Sequence, residues 1–308
     1  MPESAALGRR SPPTERVVAV LDFLVAHPGQ RFGLSELARR LDVSKPTCLG
    51  IVTALADAGY LVRDESTRSY ALGPALITAG RAAQEGFAVG PIARRQLADL
   101  STRFHTTCTA SGVIGDRITI VELTCPPDER PAEKVGQVYP FAPPVGLMYV
   151  LWSSDHDLEA WLNREPALPV RPDRERLDKV VRQCRRTGYL VETFTAMGHR
   201  LHRAMAGVVA DDLPAELRAL LGEMAANLGE RVLLDDEDAL RRPVSLLAAP
   251  TYDADARQAL VITMHVGAAI DRSEIEARGA ALTAAADAIT AEVGGRRPAR
   301  PDRSRVQY

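Results

Sequence analysis

The chain has little of what marks several protein classes. Its four cysteines, Cys48, Cys108, Cys125 and Cys184, lack paired metal spacing and are too few for a disulfide framework, so they read as small apolar residues. No apolar run reaches the roughly 18 residues of a membrane span, and the opening Met1-Pro2-Glu3-Ser4 leading into Arg9-Arg10 lacks a secretory layout. A cytoplasmic protein with no membrane partner is expected. A net charge of −2 excludes a generally basic nucleic-acid binder, so any DNA affinity must come from a local patch and its duplication in a dimer. A nucleophile elbow, a His-Glu-x-x-His metal pair and a phosphate loop are all missing, and no cofactor or metal is expected. With 46% of 308 residues hydrophobic, the chain can bury a core, and its length suggests two domains.

What is there centres on residues 33–55, GLSELARRLDVSKPTCLGIVTAL, which read as helix, tight turn, helix. Leu34, Leu37, Ala38 and Leu41 recur at helical spacing with Ser35, Glu36, Arg39 and Arg40 opposite, so only one side can be buried. Gly33 is a permitted N-cap, and Glu36 stands where a capping-box carboxylate would reach back. Asp42 and Val43 make the turn. Ser44 can cap the second helix, Pro46 is tolerated in its first turn, and Cys48, Ile51, Val52 and Leu55 form its apolar stripe. Lys45, Thr47, Leu49, Gly50 and Thr53 face out. This is helix-turn-helix geometry, in which the N-terminal end of the second helix enters the DNA major groove.

Residues 1–13, with Pro2, Pro12 and Pro13, read as a disordered lead. A helix opening at Thr14 carries Val17, Val20, Leu21 and Leu24 on one stripe and ends at His27-Pro28-Gly29. Residues 60–63 and 68–72 read as two strands around 64–67, which makes a winged helix. Leu72-Gly73-Pro74 enters a further helix, running to about Phe87, with Leu76, Ile77, Gly80, Ala83 and Phe87 on one flank. That flank either meets a second copy or docks on its own chain. Beyond it come a helix over 89–104, a hairpin of 107–113 with 117–123, a long loop over 136–146 and an apolar helix over 147–152. Helices over 155–163 and 173–187, a strand over 188–192 and an added helical region over 213–234 follow. Strands near 243–250 and 258–266 and a helix over 273–293 close the order. The tail, with Arg296, Arg297, Arg300, Arg303 and Arg305, reads as disordered and solvated, with at most a weak, nonspecific attraction to DNA.

Residues 14–83, with SELARRLDVSKPTCLGIVTALADAGYL and then RSYALGPALITAGRAA, resemble the N-terminal region of the IclR-type bacterial transcriptional regulators. The resemblance implies a winged helix, a linker helix that packs on its copy, and a larger effector-binding domain, in dimers or tetramers. The loop at 136–146 is similar to the family's Pro-Leu-His-x-Thr-Ala-x-Gly-Lys run beside the effector pocket. Pro140 and Gly146 persist, whereas Phe141, Ala142, Pro143 and Pro144 replace polar members, and Leu246 stands where the family often has a cysteine. A more apolar pocket follows, with Tyr139, Pro140, Phe141, Ala142, Pro143, Gly146, Leu246 and Ala248 as candidate lining and an effector of apolar or aromatic surface. The same side chains could instead fill the domain core. In the second helix, Pro46 replaces a usual serine and Gly50 a usual arginine, the residue type that pairs bidentately with guanine. Ser44, Lys45, Pro46, Thr47, Leu49, Gly50, Thr53 and, on the wing, Arg68 are the candidate contacts to double-stranded operator DNA.

The reading is therefore of an α+β chain. Its expected parts are a lead over 1–13, a winged helix-turn-helix domain over 14–73, and a linker helix over 74–90. A GAF-like antiparallel sheet with flanking helices then binds effector over 91–294, before a basic tail over 295–308. The expected function is ligand-responsive transcriptional regulation by a homodimer or tetramer rather than enzymatic. The alternative is a hydrolase-like catalytic C-terminal domain using His105, His199, His202 or His265 with Glu122 or Asp253. Against that stand isolated surface histidines, the reading preferred from sequence.

Overall fold

The computed structural model describes residues 11–27, 29–86, 89–131, 133–166, 173–193, 234 and 242–298, the side chains of 84–86 excepted. The expected lead over 1–10, Phe87, the added helical region apart from Leu234, His199, His202 and the tail from 299 lie outside the described residues. The chain divides into two units, Met1–Phe87 and Ala88–Tyr308.

In the first unit, α1 (Pro12–Ala26) begins at Pro12 rather than Thr14, because prolines fit a first turn whose N–H groups have no intrahelical acceptor. There follow β1 (Phe32–Gly33), α2 (Leu34–Arg40), α3 (Lys45–Asp57), β2 (Leu61–Asp64), β3 (Ser69–Leu72) and α4 (Ala75–Gly86). The wing has three strands, ordered β1-β3-β2, with Phe32 opposite Tyr70. Two residues are too short for a sequence pattern to reveal β1. Val20, Leu24, Leu37, Ala38, Cys48 and Val52 close on Phe32, Leu61 and Tyr70 in one buried cluster. At roughly 1.5–3 kcal/mol for each fully buried large apolar side chain, this cluster fixes α3 against its neighbours. Glu36 accepts from Arg40 Nε at 3.1 Å in place of the expected capping box. Gly73 is required by close approach, since a Cβ there would lie 2.2 Å from Gly59 O.

The second unit holds α5 (Gly90–Phe104), β4 (Cys108–Ile114), β5 (Arg117–Thr124), β6 (Val138–Pro140), α6 (Asp155–Leu162), α7 (Arg174–Thr187), β7 (Leu190–Glu192), β8 (Val244–Tyr252), β9 (Gln258–Ala268) and α8 (Arg272–Glu292). Its sheet is antiparallel throughout, in the order β6-β5-β4-β9-β8-β7. Alternation along each strand feeds two cores. On β8, Leu247 and Ala249 join Ala93, Leu97 and Leu100 of α5 and Ile275, Leu282 and Ile289 of α8. Leu246 and Ala248 join Leu158 and Trp161 of α6 and Val180 and Val181 of α7. All nine residues of β8 are buried, as expected for a strand covered on both faces. Leu234 belongs to the first of these cores, and its amide donates to Gln183 Oε1 at 2.7 Å. The architecture is α+β, a helix-turn-helix unit followed by an antiparallel sheet with flanking helices.

Two further expectations are corrected. Residues 147–152 are not an α-helix but begin with a 3₁₀ turn, Leu147–Tyr149. Leu147, Tyr149, Val150, Leu151 and Trp152 are all buried, so the run has no solvent face to set a helical period. The start of the basic tail is also fixed on the protein. Gly295 N donates to Thr290 O at 2.7 Å, Arg296 N to Asp253 O at 3.1 Å, and Arg297 Nε meets Asp287 Oδ1 at 2.5 Å.

Candidate functional site

The turn before α3 places Asp42 in the left-handed region at φ 49. Ser44 then caps the helix, its Oγ accepting from Thr47 N at 3.3 Å and lying 2.8 Å from Thr47 Oγ1. Burying Cys48 and Val52 turns Pro46, Gly50 and Thr53 to the opposite face, and Ser44, Lys45, Pro46, Thr47, Leu49, Gly50 and Thr53 are all exposed. Across from them stands the hairpin turn. Its shape is set by Asp64 Oδ1, which accepts from Ser66 N at 2.9 Å, Ser66 Oγ at 2.6 Å and Thr67 N at 3.3 Å. The Ser66 hydroxyl and these amides hold the Asp64 carboxyl down at about 2. Its contribution is therefore complete above the ordinary carboxylate range and is lost as pH falls through 2.

Arg68 follows on this turn, exposed, at φ 50. Between α3 and the hairpin runs a groove of ≈ 620 Å³, lined on one wall by Leu49, Thr53 and Asp57 and on the other by Val62, Arg63, Glu65 and Arg68. Sequence reasoning missed Val62 and Arg63, which the structure exposes beside buried Leu61. Lys45 is exposed at the N-terminus of α3, while Arg68 and Arg63, the latter 3.5 Å from Glu65 Oε1, face the middle and C-terminal part of the helix across the groove; all three are positive charges of the kind that suits phosphate contacts.

In the second unit, Tyr139, Leu246 and Ala248 are buried in the same core. Pro140, Phe141, Ala142 and Gly146 are half-buried and Pro143 is buried, in the loop beside them. Phe141 meets Tyr149 edge-on at 6.1 Å and Trp161 at 6.3 Å, while Arg164 lies 4.7 Å over its ring. Gly146, at φ 99, lets the loop close there, since a Cβ would lie 2.8 Å from Phe141 Cδ2. Burial pushes the Tyr139 and Tyr149 phenols up, and Tyr149 donates to Ser111 Oγ at 2.6 Å. Trp161 is 3% exposed, and its Nε1 has no hydrogen-bond partner among the described residues.

The floor of this face is more polar than expected. Directly paired residues share a face, so Ala248 sits beside Thr263 and Thr109, and Leu246 lies between His265 and Glu192. Register decides this, and register is not visible in Leu246 and Ala248 alone. His265 is not an isolated surface residue. Its Nε2 lies 3.4 Å from Thr109 Oγ1 and its Nδ1 3.9 Å from Glu133 Oε1. The latter distance exceeds a hydrogen bond, so no hydroxyl-imidazole-carboxylate relay is assembled among these three. His105 is exposed against Asp128, Glu122 pairs with Arg94, and Asp253 accepts amides of its own turn. Among the described residues no group of three His, Cys, Asp or Glu side chains could hold a metal, and no helix is long and apolar enough to cross a membrane. Cys48, Cys108 and Cys184 are buried, and burial pushes the Cys108 thiol up to about 12.

Residues 13–65 match the IclR helix-turn-helix domain. The chain is 30% identical over 128 residues to the HTH-type transcriptional regulator Rv1719 of Mycobacterium tuberculosis, covering 41% of this chain and 48% of that protein. The match thus spans about half the length of that curated relative. Among solved structures, the fold is similar to an IclR transcriptional regulator from Alicyclobacillus acidocaldarius, with a TM-score of 0.66, 21% identity, and 93% of this chain and 100% of that one covered. It is also similar to an IclR homologue from Microbacterium hydrocarbonoxydans complexed with 4-hydroxybenzoate, with a TM-score of 0.60, 16% identity, and 91% and 98% covered. Residues 13–65 thus carry the IclR helix-turn-helix domain match, and the fold of the chain is similar to that of those two solved structures.

Proposed function

We propose that this chain is a transcriptional regulator that binds operator DNA as a dimer, or a tetramer built of dimers, in the cytoplasm and responds to a small molecule. Residues 14–73 bind DNA, 74–90 link, and 91–294 sense the effector. The observation that carries the reading is α3, capped by Ser44 and exposed along its outer face across a groove from Arg63 and Arg68 of the wing. Lys45→Ala with Thr47→Ala is expected to weaken DNA binding with little loss of stability, since both side chains are exposed. Gel-shift titration measures it, and wild-type affinity in the double variant removes α3 from the interface. Lys45→Ala alone is expected to lower the salt slope by about one unit, the share of one phosphate contact.

Gly50 offers a converse test, because it is exposed and a Cβ there meets nothing within 4 Å. Gly50→Arg is expected to stabilise the helix by roughly 0.8 kcal/mol and to shift duplex preference toward guanine at one base pair per half-site. Selection from a random duplex pool reads the shift. Unchanged preference would leave position 50 outside base reading.

The effector is placed beside the 139–146 loop, its apolar body on Phe141, Leu246 and Ala248 and its polar group toward Thr263, Thr109 and His265. The unpartnered Trp161 Nε1 next to Phe141 supports a ligand carrying an acceptor. The 4-hydroxybenzoate bound by the Microbacterium homologue is a ring with polar substituents and is a suitable first probe. Binding favours one spacing of the two winged helices, transmitted through α4. A screen by thermal shift on the full chain is expected to find stabilising aromatic compounds and to pass over small dicarboxylates. The expected gain is about 2.7 kcal/mol at one hundred times the dissociation constant. Stabilisation by small polar acids alone would overturn the apolar placement.

A further inference from the structure

We propose that Leu49 reads thymine in the operator, by apolar contact with the C5-methyl group. This contact, rather than a bidentate hydrogen bond, supplies the base discrimination of α3. The inference rests on α3 being the element that enters the major groove. Between Lys45 at the start of the helix and Asp57 at its end, about 18 Å along the axis, its exposed residues are Pro46, Thr47, Leu49, Gly50, Thr53 and Ala54. None is the arginine, asparagine or glutamine that pairs bidentately with a base edge. The Thr47 hydroxyl is already engaged by Ser44 Oγ at 2.8 Å.

Leu49 is the exception in size, a large apolar side chain 47% exposed on the helix wall of the groove, with Arg63 and Arg68 on the facing wall. That arrangement fits a DNA strand passing between the walls, its phosphates toward the arginines and its base edges toward Leu49. The thymine methyl is the apolar group that B-DNA presents in its major groove. Gly50 assists because nothing projects from it to hold the helix away from the bases.

The test uses the full chain and the duplexes it enriches from a random-sequence pool, resynthesised with uracil in place of each thymine in turn. At one position per half-site, loss of the methyl is expected to weaken binding about fourfold, and roughly fifteenfold when both half-sites are changed. Leu49→Ala is expected to bind thymine and uracil duplexes equally with an unaltered salt slope, because no charge is lost. Lys45→Ala is expected to keep the thymine preference while the slope falls. The proposal is overturned if no position distinguishes thymine from uracil, or if Leu49→Ala keeps the wild-type preference. Enrichment without methyl discrimination removes this proposal alone. A protein that enriches no duplex removes the DNA-binding reading as well.

Discussion

Ile77→Asp is expected to leave the first unit folded, to abolish its self-association, and to weaken operator binding by a factor on the order of 10² or more. Ile77 is 67% exposed, and along α4 the residues 77–83 are all exposed. A helix of 12 residues with so little of its surface covered is marginal in water, because nucleation is costly and propensity alone contributes little. Packing must come from elsewhere. The second copy proposed above would meet this need, since Gly80 and Ala83 leave room for close approach and a twofold interface would place equivalent residues together. Aspartate would put two like charges at a desolvating seam while leaving the separate cluster around Leu37 and Val52 untouched. The loss is large because the second half-site is then no longer held at high local concentration. Sedimentation of residues 1–87 at micromolar concentration, with gel shifts of the full chain, measures both effects. A variant that sediments and binds like wild type would mean that α4 is not the seam.

The helix-turn-helix was legible because its determinants are local. Ser44 precedes the helix it caps, and Leu37, Ala38, Cys48 and Val52 repeat at the period of the helices they bury. Pro12 and Pro13 misled because proline in sequence reads as a break, whereas at a helix start it is tolerated. What depended on distant partners was not legible. Phe32 becomes a strand residue only by pairing with Tyr70, and the polar floor beside Leu246 and Ala248 exists only in the register of β7, β8, β9 and β4. Gly295 and Arg296 read as tail because their partners, Thr290 and Asp253, include one on a turn brought near only by the fold.

Tyr189 belongs to the same class, and it carries the second large effect. Gly188, read from sequence as the start of a strand, instead ends α7 at φ 86 as a left-handed cap, and the ring of the next residue closes over Gly279 of α8. A Cβ on Gly279 would lie 2.4 Å from Tyr189 Cζ and 2.5 Å from Cε1. The ring has little room to yield, being 7% exposed, with Tyr189 O held by Thr187 Oγ1 at 2.9 Å. Gly279→Val is therefore expected to destabilise the second unit by about 3 kcal/mol through overpacking between the Tyr189 ring and α8. Tyr189→Ala in the same chain is expected to recover part of the loss, a coupling of roughly 1–3 kcal/mol, because the valine then fills space that the ring has vacated. Both tryptophans, Trp152 and Trp161, lie buried in the second unit, so their fluorescence during urea unfolding follows that unit alone. The first unit buries its own cluster, so DNA binding through α3 is expected to survive where effector-induced stabilisation is lost. An unchanged tryptophan midpoint in Gly279→Val, or identical losses in the presence and absence of the Tyr189 ring, would mean that the ring is not what bears on Gly279.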